Sequence, residues 1–149
     1  MDRTFWKRGF AMILLVLLLL ASGCSSFNSD WRKASQVEWL ASDLAGRWEG
    51  SWKSEANRHH GRLRCLVTKR KEGEYEARFR ANYLKILSFS YVVSLEAKRE
   101  GDVFKFEGSA DLGAFGGIYR YEGRAGSTNF FSTYVSAHDH GTFEMSKRP

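Results

Sequence analysis

Four histidines are the side chains of this chain best suited to chemistry. His59 and His60 are adjacent, and His138 and His140 flank Asp139 near the C-terminus. Two or three neutral imidazoles with a carboxylate form a coordination set for Zn²⁺ or Cu²⁺. An imidazole beside a carboxylate also has the parts of an acid–base pair. Polar residues gather in solvated turns for no such reason, so the types alone leave both readings open. Other chemistry is missing. The chain holds no Gly-x-Ser-x-Gly, no His-Glu-x-x-His, no phosphate-cradling glycine loop and no Cys-x-x-Cys. Nearly all carboxylates alternate with the apolar residues, so no acidic pair is placed for catalysis. The expectation is a protein that is not an enzyme and uses no cofactor.

The elements that must position these histidines are strands. In Gly46-Arg47-Trp48-Glu49-Gly50-Ser51-Trp52-Lys53-Ser54, Trp48, Gly50 and Trp52 share one face while Arg47, Glu49, Ser51 and Lys53 share the other. The same alternation predicts strands at 47–54, 61–69, 74–81, 86–98, 102–111, 118–125, 128–135 and 140–147. Glu72-Gly73, Glu100-Gly101-Asp102 and the Gly113 to Gly117 segment mark turns between them. Such short gaps join antiparallel neighbours. Only Thr128 to Val135 has apolar residues on both parities. One apolar and one charged face per strand predicts an all-β fold, an eight-stranded antiparallel up-and-down barrel. A two-sheet sandwich has the same pattern. A transmembrane barrel would place the apolar face outward, against lipid. Ser35 and Glu38 fit a capping box, and Val37, Leu40, Ala41 and Leu44 follow at helical spacing. This predicts a short amphipathic helix that packs on one end of the barrel and ends at Gly46.

Barrel closure has two consequences. The first and last hairpin loops fall side by side at one end, which assembles His59, His60, His138 and His140 as a candidate metal site. The inward rings enclose a candidate ligand site of Trp52, Tyr75, Phe79, Tyr91, Phe106, Tyr119 and Tyr121, with Gly50, Gly108 and Gly123 leaving room between them. A barrel filled by those rings, acting as a structural or interaction module on an envelope partner, is the alternative. Cys65 falls at an inward position and reads as a small buried hydrophobe.

The first residues are not part of this pattern. Arg3, Lys7 and Arg8 precede an apolar run from Gly9 to Leu20, shorter than the ~20 residues of a membrane span. Ala21-Ser22-Gly23-Cys24 resembles the lipobox of bacterial lipoproteins, with Ala21 where Leu is commonest. The resemblance implies a signal peptide over 1–23, cleavage before Cys24, and acylation of Cys24 with chains such as palmitate. Ser25, rather than Asp, after the cysteine implies the periplasmic face of the outer membrane. Residues 24–33 would then be a lipidated tether and 34–149 the barrel domain. Removal of Arg3, Lys7, Arg8 and Asp2 lowers the net charge from +6 to about +4. Charges of both signs are interspersed, and the implied compartment leaves no role for nucleic acid.

Gly46-x-Trp48 after a short helix resembles the lipocalin (calycin) signature. In that superfamily an Arg near the barrel's end stacks over the Trp, which implies a Trp48–Arg148 contact here. Residues 46–149 also resemble small bacterial lipoproteins with a Trp-rich first strand. The shared segments are Asp111-Leu112-Gly113 with Gly116-Gly117 and Tyr119, and a closing Asp139-x-Gly141-Thr142-Phe143. That resemblance implies a fold and brings no activity. The combined expectation is a membrane-anchored, non-catalytic lipoprotein that binds a small apolar or amphipathic molecule in its barrel.

Overall fold

The computed structural model describes residues 26–149, with Phe115 described by its backbone alone. The expected signal peptide and Cys24 lie outside the described residues. Eight strands follow one another: β1 (Gly46–Ser54), β2 (His60–Lys71), β3 (Glu74–Tyr83), β4 (Leu87–Glu100), β5 (Val103–Asp111), β6 (Ile118–Ala125), β7 (Asn129–Val135) and β8 (His140–Arg148). Each pairs antiparallel with the next, and β1 pairs with β8 to close the barrel. At that seam Gly50 lies opposite Met145 and Trp52 opposite Phe143. Closure pairs every strand on both sides over most of its length; residues 87–93 of β4 pair with β3 alone, because the β4–β5 ladder starts at Ser94.

The alternation of the sequence becomes the inside and outside of this barrel. Leu63, Cys65 and Val67 are buried, as are Tyr75, Ala77, Phe79 and Ala81, while most of the residues between them are partly or fully exposed. Burial pushes the Cys65 thiol well up, so it stays protonated and inert. In β7 the parity that wins is Phe130, Ser132 and Tyr134. Phe131 turns outward and lies under the Arg124 guanidinium, 5.7 Å from its ring centre.

One end of the barrel is plugged. Leu44 is fully buried there, and the fully buried Trp48 donates its indole N–H to the Leu44 carbonyl at 3.0 Å. Tyr75 donates its hydroxyl to Asp43 Oδ1 at 3.0 Å. Above this plug the interior is solid with rings: Phe106 meets Phe130 at 4.7 Å, and Phe130 meets Trp48 at 5.6 Å. Gly50, Gly108 and Gly123 therefore leave no open space. A Cβ on any of the three would overlap a neighbouring strand's carbonyl oxygen, that of Glu144, Ser94 or Phe131. At these points, as at Gly61 and Gly141, only a residue without a Cβ lets the neighbouring strand approach so closely.

The helix is not where the capping pattern predicts it. Residues 26–34 form it (α1), and 35–45 run as turns into the plug. The Ser35 hydroxyl donates backwards to the Arg32 carbonyl at 2.6 Å, and the Trp39 indole to the Ala34 carbonyl at 2.8 Å. Both satisfy carbonyls at the end of α1 instead of starting a helix after it. Nor are residues 26–33 a free tether. Phe27 and Trp31, one turn apart and stacked at 5.9 Å, lie on three outward arginines of the barrel wall. Arg47 and Arg64 sit 5.2 and 5.4 Å from the Trp31 ring, and Arg64 and Arg78 sit 5.4 and 6.0 Å from Phe27. Each such contact contributes ~0.5–1 kcal/mol. Asp30 adds an ion pair to Arg78 at 2.7 Å.

The expected Trp48–Arg148 contact is also corrected. Trp48 is paired in register with Lys147, whose ammonium stands 5.2 Å from the indole ring and donates to the Leu40 and Asp43 carbonyls. Arg148 has the other parity and binds Glu49 on the outside, at 3.0 Å.

The plug is sensitive to acid. Partial burial pushes the Asp43 carboxyl up, but the Ala45 amide and the Tyr75 hydroxyl outweigh it and hold it below its ordinary value. Burial likewise opposes Arg62 and Arg148 at Glu49, and the two guanidiniums win. A carboxyl depressed by folding contributes stability that is present above its unfolded pKa and is lost as pH falls through its folded one. Unfolding midpoints should therefore hold above about pH 5 and fall below about pH 4. Asp43→Asn should flatten that acid limb. An unchanged slope in the variant would show that Asp43 is not part of it.

Candidate functional site

The opposite end of the barrel is open, and the rings stop short of filling it. A cup of about 280 Å³ remains, close to the lower size of natural ligand pockets. Its floor is aromatic. Phe79 stacks on Tyr91 at 5.2 Å and lies 5.4 Å from Phe143, and Tyr121 stacks on Tyr91 at 6.4 Å. Burial pushes the Tyr91 and Tyr121 hydroxyls up, and the two hydrogen-bond one another, so both stay protonated. Tyr119 and Tyr134 form one wall, 5.9 Å apart. Trp52 and Tyr83 form another, stacked at 6.0 Å. Trp52 is fixed by its indole bond to the Asn82 carbonyl at 2.9 Å.

Polar groups sit at the lip. Asp139 Oδ1 accepts from the Ser54 hydroxyl at 2.6 Å, and Oδ2 from the Tyr134 hydroxyl at 3.4 Å. Burial and then the Asp139 charge push the Tyr134 hydroxyl up. Ser136 Oγ accepts the Asp139 backbone N–H at 3.0 Å, so the β7–β8 turn itself aims this carboxylate. Outside the lip, the β3–β4 tip exposes Leu84, Ile86 and Leu87, with Ile86 84% exposed.

Four of the seven expected ligand-site residues line the cup: Trp52, Tyr91, Tyr119 and Tyr121. Phe79 underlies it. Tyr75 belongs to the plug at the other end, and Phe106 to the packed middle. Alternation tells which residues face inward. It does not tell how far along the axis each one lies, which follows from the pairing register. Tyr83, Tyr134 and Asp139 also line the cup and are absent from the expected set. The double parity of β7 hides Tyr134 in the sequence, and Asp139 stands out there only as a companion to the histidines.

The histidine site does not form. The two loops are adjacent as expected, with the Glu55 amide donating to the His140 carbonyl at 2.8 Å. The imidazoles nevertheless diverge. His59 Nδ1 meets the Tyr83 hydroxyl at 2.7 Å, while His60 Nδ1 lies 3.5 Å from the Arg58 carbonyl. His140 Nε2 points to Glu55 at 3.9 Å, and His138 is exposed. Among the described residues no three His, Cys, Asp or Glu side chains are placed to hold a metal ion. His59 is instead part of the cup's lip.

No family model and no curated protein matches the chain. Among solved structures it is similar to a de novo designed fluorescence-activating β-barrel, with a TM-score of 0.51 and 19% identity. The match covers 70% of this chain and 94% of the design. At that identity the likeness concerns the fold, and the chain is an eight-stranded antiparallel barrel of the same kind.

Proposed function

We propose that this protein is a lipid-anchored carrier of the cell envelope that holds a small apolar or amphipathic molecule in the mouth of its barrel, without catalysis. The observation that carries the binding half is the aromatic cup. A barrel built only for rigidity has no need to stop packing at one end and line the remainder with tyrosines and a tryptophan. Rings at that end line the cup while their hydroxyls offer hydrogen bonds, which suits an amphipathic guest. That the similar designed barrel is described as fluorescence-activating is in keeping with a barrel that receives a small molecule. Support for the anchor is in the sequence: the basic start, the short apolar run, and Ser22-Gly23-Cys24. The membrane would be reached through the acyl chains on Cys24, at the periplasmic face of the outer membrane. With residue 26 already in α1 and α1 docked on the wall, the barrel would sit close to that surface.

The exposed Leu84, Ile86 and Leu87 favour a second reading, in which the mouth docks on an envelope protein. Mass spectrometry of protein recovered from membranes separates these ideas. The expected result is an N-terminal peptide that begins at an acylated Cys24, with a small molecule released on denaturation. An unmodified Cys24 removes the anchor. Acylated protein that carries no guest favours the docking module.

A further inference from the structure

The cup is cation-selective, we infer, and its natural guest carries an amine or other cationic head rather than a carboxylate or phosphate. This rests on the carrier reading and narrows it. The chain has 23 Lys and Arg against 17 Asp and Glu, yet among the described residues no Lys or Arg lines the cup. The single carboxylate there is Asp139, and among the described residues no cation forms an ion pair with it. Its side-chain partners, Ser54 and Tyr134, are neutral hydroxyls. Neither hydroxyl carries a charge that neutralises the carboxylate. An anion brought into this cup meets a negative charge and the negative faces of the rings, and the lining offers it only the neutral donors of Asn57 and the tyrosines and the His59 imidazole, with no Lys or Arg. A cation meets the opposite. The carboxylate attracts it, and the faces of Trp52, Tyr83 and Tyr134 do so through their quadrupoles.

The ring arrangement sets the rest of the guest. Stacked and tilted aromatic pairs surround the head, and the Phe79–Tyr91–Tyr121 floor takes a short apolar or aromatic body. A cup of about 280 Å³ admits a small molecule and excludes a full lipid chain pair. The class that fits is a small arylalkyl amine or a comparable quaternary ammonium compound.

Three matched probes test this: 3-phenylpropylammonium, 3-phenylpropanol and 3-phenylpropanoate, titrated into the protein at neutral pH and followed by calorimetry and by the NMR shift of the Trp52 indole N–H. The ammonium should bind roughly tenfold or more tighter than the alcohol, and the carboxylate weakest. Asp139→Asn keeps an acceptor for Ser54, so the fold should survive, as a melting curve checks. In that variant the ammonium should lose its advantage over the alcohol. Equal binding of ammonium and alcohol to the natural protein overturns the charge selectivity and leaves the carrier reading standing. Equal loss of both in Asp139→Asn does the same. No binding of any probe, with no shift at Trp52, overturns the carrier reading and this one with it.

Discussion

Trp48→Ala should cost about 3–5 kcal/mol of stability, the largest loss of any single truncation in the barrel. Trp48 is the largest fully buried side chain described. Three interactions end on it. Its indole N–H holds the Leu44 carbonyl, its ring packs on Phe130, and the Lys147 ammonium stands over its face. Truncation leaves a void that rigid strands cannot close. It also orphans a buried carbonyl and loosens a partly buried lysine whose pKa burial already lowers. Because the plug segment is tied to the barrel through the same residue, the damage spreads to residues 39–45. Urea unfolding of the variant checks the size. Trp48→Phe keeps most of the packing and loses the hydrogen bond, so it should cost only about 1–2 kcal/mol. A loss below that in the alanine variant would show that the plug folds without its tryptophan.

Gly50→Val should do comparable or greater harm by a different route. Gly50 sits at the β1–β8 seam opposite Met145, and a Cβ there would overlap the backbone oxygen of Glu144. The clash is with main chain, so no rotamer change relieves it. The two strands must part, and parting them uncovers two edges that other chains can pair with. The expected result is loss of the cooperative melt and growth of high-mass species in size-exclusion chromatography. Gly126→Ala is the control. Nothing lies within 4 Å of a Cβ at Gly126, and its stability should stay within about 0.5 kcal/mol. If Gly50→Val melts like Gly126→Ala, the seam is looser than its geometry.

The strands were legible in the residues alone because a pleated backbone sends successive side chains to opposite faces. Period-two runs broken by Glu72-Gly73 or Gly101-Asp102 locate them to within a residue or two of most of their observed ends. The same parity, followed to the end of β8, places Lys147 inward and Arg148 outward; only the family resemblance pointed to Arg148. What the pattern lacks is any measure of height along the barrel. Tyr75 and Tyr119 have the same parity, yet one seals the plug and the other lines the cup, since the pairing register staggers each strand against the next. The capping signal at Ser35 failed for a related reason. A hydroxyl can bond forward or backward along the chain; here it bonds backward to the Arg32 carbonyl, at the end of a helix that docks through Phe27 and Trp31 on three distant arginines. The histidines show the limit most plainly. Chain topology brought their loops together as expected, but the direction of each ring was set by contacts with Tyr83, the Arg58 carbonyl and Glu55. Local sequence therefore determined what faces inward, and the closed sheet decided which of those groups share a space, because a coordination set or a cup requires convergence in three dimensions.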